Sequence, residues 1–338
     1  MSELRFKVTG VGKSAPARVV PSEEIDSKLG LPSGWIEKRT GIAERRYAAD
    51  SDTASSLGTE AGRQALERAG LEASDLDLIV VATGTPDYLF PPTAALVQQQ
   101  LGAGEVGAFD LEAACAGFVY GLLSAGSLIS TGTARSALVI GVDLPTKLLN
   151  PDDAATVAVF GDGCGAAVLQ SHPEGDLVGA RFGSDGSRPE DIYVHGGGSK
   201  TPRALDDEVF PHIRMKGREV YRYAVRAMTR IGEEAGASEH DLVIMHQANR
   251  RIVDECASVL GLRDDQIFTN VDRYGNTSAA SVAIALCEAW EQGRLQEGTR
   301  LLLIGFGAGY TWSTLSLVWS APGLDEQPSR QAVSVEVG

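Results

Sequence analysis

A chain of 338 residues that is 43% hydrophobic and 22% charged, with 39 glycines and a mean hydropathy of −0.05, has room for two domains or one large layered domain. The mixture excludes disordered and fibrous classes, and a net charge of −15 repels nucleic acid and anionic lipid in bulk, so an anionic partner needs a local basic patch. No apolar run reaches the ~20 residues of a membrane span, MSELRFKVTG lacks a signal region, and four cysteines at 115, 164, 256 and 287 have no paired C-x-x-C spacing, so neither zinc nor a disulfide framework is expected and a reduced, cytoplasmic compartment is.

The chain opens with a strand-like RFKVTGVGKSAP and a polar stretch ending in GWIEKRTGIAERRYA, where Trp35 and Arg39 stand beside a Gly-Ile turn. Residues 54–69 have helical period, and Leu76 to Ala82, LDLIVVA, is a short all-apolar strand of the kind buried in a parallel sheet. A proline-bearing loop carrying Phe90 then runs into another helix. Phe109 to Ser130, FDLEAACAGFVYGLLSAGSLIS, is long, rich in small residues and without a polar face, which is the pattern of a buried helix. Cys115 lies at its start. There the unpaired N–H groups and the positive end of the helix dipole favour a thiolate, hence a nucleophile; the competing reading is one more small buried hydrophobe. Cys164, Cys256 and Cys287 read as packing. ARSALVIGVD is a second buried strand, and strands bracket FGDGCGAAVLQ, where glycines permit close backbone packing.

The second half repeats the first. ERAGLEASDLDLIVVATG is echoed by EEAGASEHDLVIMHQAN, and the Cys115 helix with GTARSALVIGVD by GNTSAASVAIALCEAW with EGTRLLLIGFG. Two αβ halves, 1–172 and 173–322, each with one buried central helix, imply a duplicated layered α/β fold with those helices at a pseudo-twofold axis. Their N-termini converge, so Cys115 is expected to face Asn276, with His246 brought to the same sheet end; residues 323–338 read as a loose tail. Ser184 to Gly217 reads as a loop or cap. In the following helix, Arg218, Arg222, Arg226 and Arg230 recur at i, i+4 opposite Val220, Tyr223, Ala224, Ala227 and Ile231. On so acidic a chain that stripe is either the footprint of an anionic carrier or a solvated face paired with Glu219, Glu233 and Glu234.

AACAG, MHQANRRI, YGNTSAASVAIAL and GFGAGYTW together supply a cysteine, a histidine, an asparagine and a glycine-rich turn on converging elements. With WIEKRTGI upstream, in this order and over nearly the whole chain, they resemble β-ketoacyl-acyl-carrier-protein synthase III of the thiolase-like superfamily. The resemblance implies the five-layered α-β-α-β-α form of the duplicated fold, a homodimer, and an acyltransferase that uses acyl-coenzyme A or acyl-carrier thioesters with no metal or redox cofactor. It implies that Cys115 takes up the acyl group, with the backbone N–H groups of Cys115 and Ala308 as oxyanion hole, and that His246 and Asn276 stabilise the enolate formed when a malonyl unit loses carbon dioxide. By the same resemblance Trp35 stacks on the coenzyme A adenine, Arg39 and Asn249 line the pantetheine channel, Phe90 closes the partner subunit's acyl pocket, and Arg222 and Arg251 match carrier-docking positions, with Arg250 additional.

The chain also departs from the family pattern. Ala154 stands where an arginine commonly opposes the tryptophan across the adenine, and DECASV, with Ser258 and Val259 after Asp254 and Glu255, replaces lysines facing the carrier. These departures point to a different acyl donor or carrier and to a fatty-acid-like or specialised polyketide pathway. Three rivals share some of the residues: an enzyme passing the Cys115 acyl group to an alcohol or amine with His246 as general base, a papain-like protease, which the duplicated αβ pattern and GFGAGYTW do not fit, and an inactive carrier-binding scaffold, against which the intact triad argues.

Overall fold

Five strands drawn from the first 171 residues make one sheet and four strands between 177 and 318 make another; the computed structural model describes residues 5–173, 175–201 and 212–320. The tail expected over 323–338 lies outside the described residues. In chain order the first half contains β1 (Phe6–Ser14), β2 (Arg18–Pro21), α1 (Ser22–Lys28), α2 (Trp35–Thr40), β3 (Glu44–Tyr47), α3 (Ala54–Ala69), β4 (Leu78–Ala82), α4 (Thr93–Leu101), β5 (Gly107–Leu111), α5 (Gly117–Ser130), β6 (Ser136–Asp143), α6 (Ala154–Val157) and β7 (Gly163–Ser171). The second contains β8 (Leu177–Ser184), β9 (Ile192–His195), β10 (His212–Met215), α7 (Gly217–Glu234), β11 (Leu242–Met245), α8 (Arg250–Val259), α9 (Val271–Tyr274), α10 (Ala280–Glu291), β12 (Arg300–Gly307) and β13 (Thr311–Val318).

The sheets show the duplication directly. The first runs β1-β7-β6-β4-β5 and the second β8-β13-β12-β11. In each, two strands joined through a central helix are parallel, Leu78 opposite Ala137 and Leu242 opposite Leu301, and the next strand returns antiparallel. The counterpart of β5 is reduced to one parallel bridge between Val243 and Ile267. All residues of β4, β6 and β11 are buried, as strands covered on both faces require.

Helices α5 and α10 lie between the sheets in one core that includes Phe6, Val80, Phe118, Leu122, Ile244, Leu286 and Leu303. Helices α3 and α4 cover the outer face of the first sheet through Ala61, Ala65 and Val97 against Ile79, Leu138 and Ile140. Helices α7 and α8 cover the outer face of the second through Ala224, Met228 and Ile252 against Val243, Leu302 and Ile304. The result is the five-layered α/β architecture. One expectation is corrected: the passage 184–217 is not all loop, because β9 and β10 pair antiparallel from Ile192–Met215 to His195–His212.

The halves are tied by buried ionic contacts as well as by apolar surface. Glu288 of α10, its side chain 4% exposed, meets Lys13 of β1 at 2.9 Å and Arg273 of α9 at 2.6 Å, and accepts hydrogen bonds from Tyr274 Oη at 2.8 Å and Asn270 Nδ2 at 3.1 Å. Burial alone would raise its pKa; the hydrogen bonds from Arg273, Lys13 and Tyr274 outweigh that and hold it at about 2. A carboxyl depressed in the folded state stabilises above its unfolded pKa and loses that contribution as pH falls through the folded value, here from about pH 4.5 to pH 2. The shift corresponds to roughly 3 kcal/mol. Glu288→Gln is therefore expected to lower stability at pH 7 by about that amount and to flatten the acid limb of the urea-unfolding stability between pH 5 and pH 2.5. Parallel acid limbs in the two proteins would contradict this.

Candidate active site

Cys115 sits in a single 3₁₀ turn, Ala114–Ala116, between the end of β5 and the start of α5. Ala114 has φ 47°, a left-handed conformation costly for a residue with a Cβ, and it turns the chain sharply just before the cysteine. Backbone from β12 closes on that turn: a methyl group added to Gly307 would lie 2.6 Å from Cys115 N, and Thr311 Oγ1 donates to Ala113 O at 2.8 Å. Cys115 is 7% exposed, and its Sγ donates to Ser278 Oγ at 3.4 Å.

His246 follows the last residue of β11, held in register by its N–H to Ile304 O at 2.8 Å. It is 2% exposed, its Nδ1 lies 2.6 Å from Ser281 Oγ, and desolvation lowers its pKa to about 3, so the ring is neutral at physiological pH. Asn276 precedes α10 and is 5% exposed. Its Oδ1 accepts the Ser278 N–H at 2.9 Å, which leaves the amide nitrogen as the end free to donate. The turn after it is secured by Asp143 at the end of β6, whose carboxylate accepts Ala279 N–H at 3.0 Å, Gly84 N–H at 2.8 Å and the hydroxyls of Thr85 at 3.0 Å and Thr83 at 3.1 Å.

One cavity of about 230 Å³ is lined by Cys115, His246, Asn276, Asn249 and Ala308, so five residues read from sequence meet there. Its walls are Ile192 and Met215 from the β9–β10 hairpin, Val220, Tyr221 and Ala224 from α7, and Phe306 from β12. A larger groove of about 1080 Å³ runs along β8 and holds none of the cysteine, histidine or asparagine. The small cavity, where Cys115, His246 and Asn276 converge, is the candidate active site.

The remaining sequence candidates lie outside that cavity. Trp35 and Arg39 are on α2, with the guanidinium 4.0 Å from the indole centroid. Phe90 is 85% exposed in a patch with Leu89 and Tyr88, near the edge strand β5. Arg218, Arg222, Arg226 and Arg230 are all exposed, but four-residue steps advance about 40° around a helix, so the stripe winds. Arg226 covers Tyr223 and Arg230 covers Trp312, whereas Arg218 and Arg222 flank Tyr221 and Gly217 at the cavity wall. Arg251 is exposed at the start of α8, and Arg250 beside it pairs with Asp254 at 2.7 Å.

Comparison with known proteins agrees with this geometry. The family models for 3-oxoacyl-[acyl-carrier-protein] synthase III and its C-terminal part match residues 109–186 and 233–319. The β-ketoacyl-[acyl-carrier-protein] synthase III of Roseiflexus castenholzii is 44% identical, covering 93% of this chain and 98% of that protein. The chain belongs to the β-ketoacyl-acyl-carrier-protein synthase III family. Among solved structures, the synthase III of Aquifex aeolicus superposes with a TM-score of 0.85 at 38% identity over 93% of this chain and all of that one. The priming β-ketosynthase of the R1128 polyketide pathway does so with 0.88 at 33% over 94% and 97%. The chain is accordingly an enzyme of the acyltransferase class with the thiolase-like fold.

The expectation of a resting thiolate is corrected. Helix α5 begins two residues after Cys115, and burial pushes the thiol up to about 12; the hydrogen bond with Ser278 lowers it, and the nearby Asp143 and Glu112 carboxylates raise it further. Desolvation outweighs the dipole of the adjacent helix. Sequence reasoning also passed over Ser278 and Ser281, which touch Cys115 and His246 from within the same YGNTSAAS motif, and Phe306, two residues before Ala308 in GFGAG. Alkylation of Cys115 by iodoacetamide, followed by peptide mass mapping, should accelerate about tenfold per pH unit from pH 7 to pH 10, because the thiolate fraction rises that way below the pKa. A plateau beginning below pH 9 would show that the resting thiol is more acidic than its burial implies.

Proposed function

We propose that this synthase III condenses an acyl group carried on Cys115 with a malonyl thioester. In the first half-reaction Sγ bonds to the carbonyl carbon of an acyl thioester, the bond to the leaving sulfur breaks, and the cysteine's proton ends on the released thiol. Backbone N–H groups of Cys115 and Ala308 hold the oxyanion in this reading. In the second, the malonyl carboxylate leaves as carbon dioxide, its bonding electrons form an enolate stabilised by His246 and Asn276, and the carbanion attacks the acyl carbon. Cys115 is released and takes up a proton. The observation that carries this reading is the orientation of Asn276: with Oδ1 occupied by Ser278 N–H, its nitrogen is left to donate beside a neutral His246 in the cavity of Cys115. The rival in which His246 acts as general base toward an alcohol or amine is disfavoured, since a histidine held at about 3 is a poor base at neutral pH.

Cys115→Ala is expected to abolish acylation, read by intact mass, with an unchanged circular-dichroism spectrum. His246→Ala and Asn276→Ala should still acylate yet lose release of carbon dioxide from malonyl thioester by two orders of magnitude or more. Loss of acylation in either folded variant would reassign their roles, and absence of acylation in the native enzyme would favour the scaffold reading.

The substrates we infer are acyl-coenzyme A or acyl-carrier thioesters, with a carrier-borne donor favoured. Trp35 packs against the Val20, Ile25 and Ile36 cluster while Arg39 lies over its ring, and Ala154 offers no opposing cation. Departures at Ala154 and in DECASV, together with likeness to the R1128 priming enzyme, support a specialised polyketide or fatty-acid-like pathway. A homodimer is supported by the edge position of β5, where Phe109 is 37% exposed, beside the exposed Tyr88, Leu89 and Phe90. Free cysteines throughout fit the cytoplasm, and we keep the division at 172/173 as the boundary between halves.

Arg222→Glu and Arg251→Glu should raise the Michaelis constant for an acidic carrier-bound donor several-fold at low salt and much less at 0.5 M salt, leaving small thioesters nearly unaffected. Ala154→Arg should lower it for acyl-coenzyme A alone, because a cation over an aromatic face contributes ~0.5–2 kcal/mol. Equal effects on both donors would refute the assignment.

A further inference from the structure

We propose that Ser281 is a positioning residue that locks His246 in the tautomer carrying its proton on Nε2, so that the ring can only donate into the cavity. Ser281 is the second residue of α10 and 2% exposed. Its Oγ lies 2.6 Å from His246 Nδ1 and accepts the N–H of Gln247 at 3.4 Å. A serine oxygen has one proton to give. With the Gln247 N–H directed at the oxygen, the hydroxyl proton is placed on Nδ1; were Nδ1 itself protonated, both neighbours would donate to Ser281 and its own buried proton would lack that acceptor. Nδ1 therefore accepts, and the single proton of the neutral ring resides on Nε2.

The inference rests on the proposed decarboxylative reaction and deepens it. Asn276 is oriented by the Ser278 N–H and His246 by the Ser281 hydroxyl, so one short segment, residues 276–281, sets both as donors to the same developing oxyanion. A base toward an alcohol or amine would need the lone pair that this tautomer removes from Nε2.

The test is long-range 1H–15N correlation on enzyme labelled with 15N-histidine, which has only five histidines to assign. Native His246 is expected as the Nε2–H tautomer from pH 5.5 to pH 9. Ser281→Ala should give a mixture with the Nδ1–H form and a tenfold to hundredfold lower kcat for malonyl decarboxylation, with little change in KM, while Cys115 is still acylated. Ser281→Thr, which keeps the hydroxyl, should restore both the nitrogen shifts and kcat. An Nδ1–H tautomer in the native enzyme overturns the proposal without any variant, as does Ser281→Ala with unaltered shifts and rate. If native enzyme shows the Nε2–H form yet releases no carbon dioxide, the tautomer lock stands and the decarboxylative reading falls.

Discussion

The contact on which the site depends is between two stretches of backbone. The Cys115 turn of the first half rests on the end of β12 from the second, so closely that a methyl at Gly307 would lie 2.6 Å from Cys115 N and one at Gly305 would lie 3.0 Å from Ala116 Cα. Only glycine at those positions lets the two stretches of backbone approach so closely. The pseudo-twofold axis repeats the arrangement with different chemistry. Gly141 of β6 admits the Ala279 turn, where a methyl would lie 2.5 Å from Ala279 O, but the residue matching Gly307 is Asp143, which receives Ala279 N–H. Each turn contains one left-handed residue, Ala114 with φ 47° and Ser278 with φ 52°. Such conformations cost about 1–3 kcal/mol each and persist where the surroundings over-determine them. One half thus uses the shared geometry to place Cys115, the other to place Asn276 in the same cavity.

Burial makes the resting site electrically quiet. Desolvation moves Cys115 up to about 12 and His246 down to about 3, so both are neutral, and Asn276 carries no charge at any pH. In the condensation we propose, charge appears only during reaction, first on the oxyanion of the acyl thioester and next on the enolate, and dipoles fixed in a buried site stabilise such charge without reorganising. The same argument separates catalysis from stability in this molecule. The ionised groups paired between the halves, the buried Glu288 and the partly exposed Lys13, Glu291 and Arg273, lie at the far end of α10, where pairing rather than neutrality satisfies them.

Much of this was legible in sequence because the repeat fixes topology. Once ERAGLEASDLDLIVVATG and EEAGASEHDLVIMHQAN are aligned, the parallel strands, the two central helices and the convergence of Cys115, His246 and Asn276 follow from chain connectivity. What could not be read depends on neighbours distant in sequence. The acidity of Cys115 is set by how much protein surrounds it, not by the helix behind it. The β9–β10 strands are four residues each, too short for period to reveal, and are separated by 16 residues. The arginine stripe looked like one face because i, i+4 neighbours are adjacent, yet the drift of about 40° per step carries Arg230 to Trp312 while Arg218 stays by the cavity.

That drift bears on how a donor is chosen. A cavity of about 230 Å³ holds the reacting end of a thioester and little more, and its apolar lining of Ile192, Val220, Phe306 and Ala308 makes no charged contact with the remainder of a carrier. Discrimination between donors therefore falls to what surrounds the mouth. Arg218 and Arg222, next in sequence to the lining residues Gly217 and Tyr221, are exposed, as is Arg251 on α8, on a molecule of net charge −15, while Asp254 offsets Arg250 and aromatic rings engage Arg226 and Arg230. In the carrier docking we propose, exposed arginines on an otherwise acidic surface steer an anionic partner toward this side of the molecule. In the donor assignment we propose, Trp35, with Arg39 lying on it, adds little to hold a nucleotide, so the acyl group is delivered by what its carrier's surface recognises and the cavity needs only to receive the thioester.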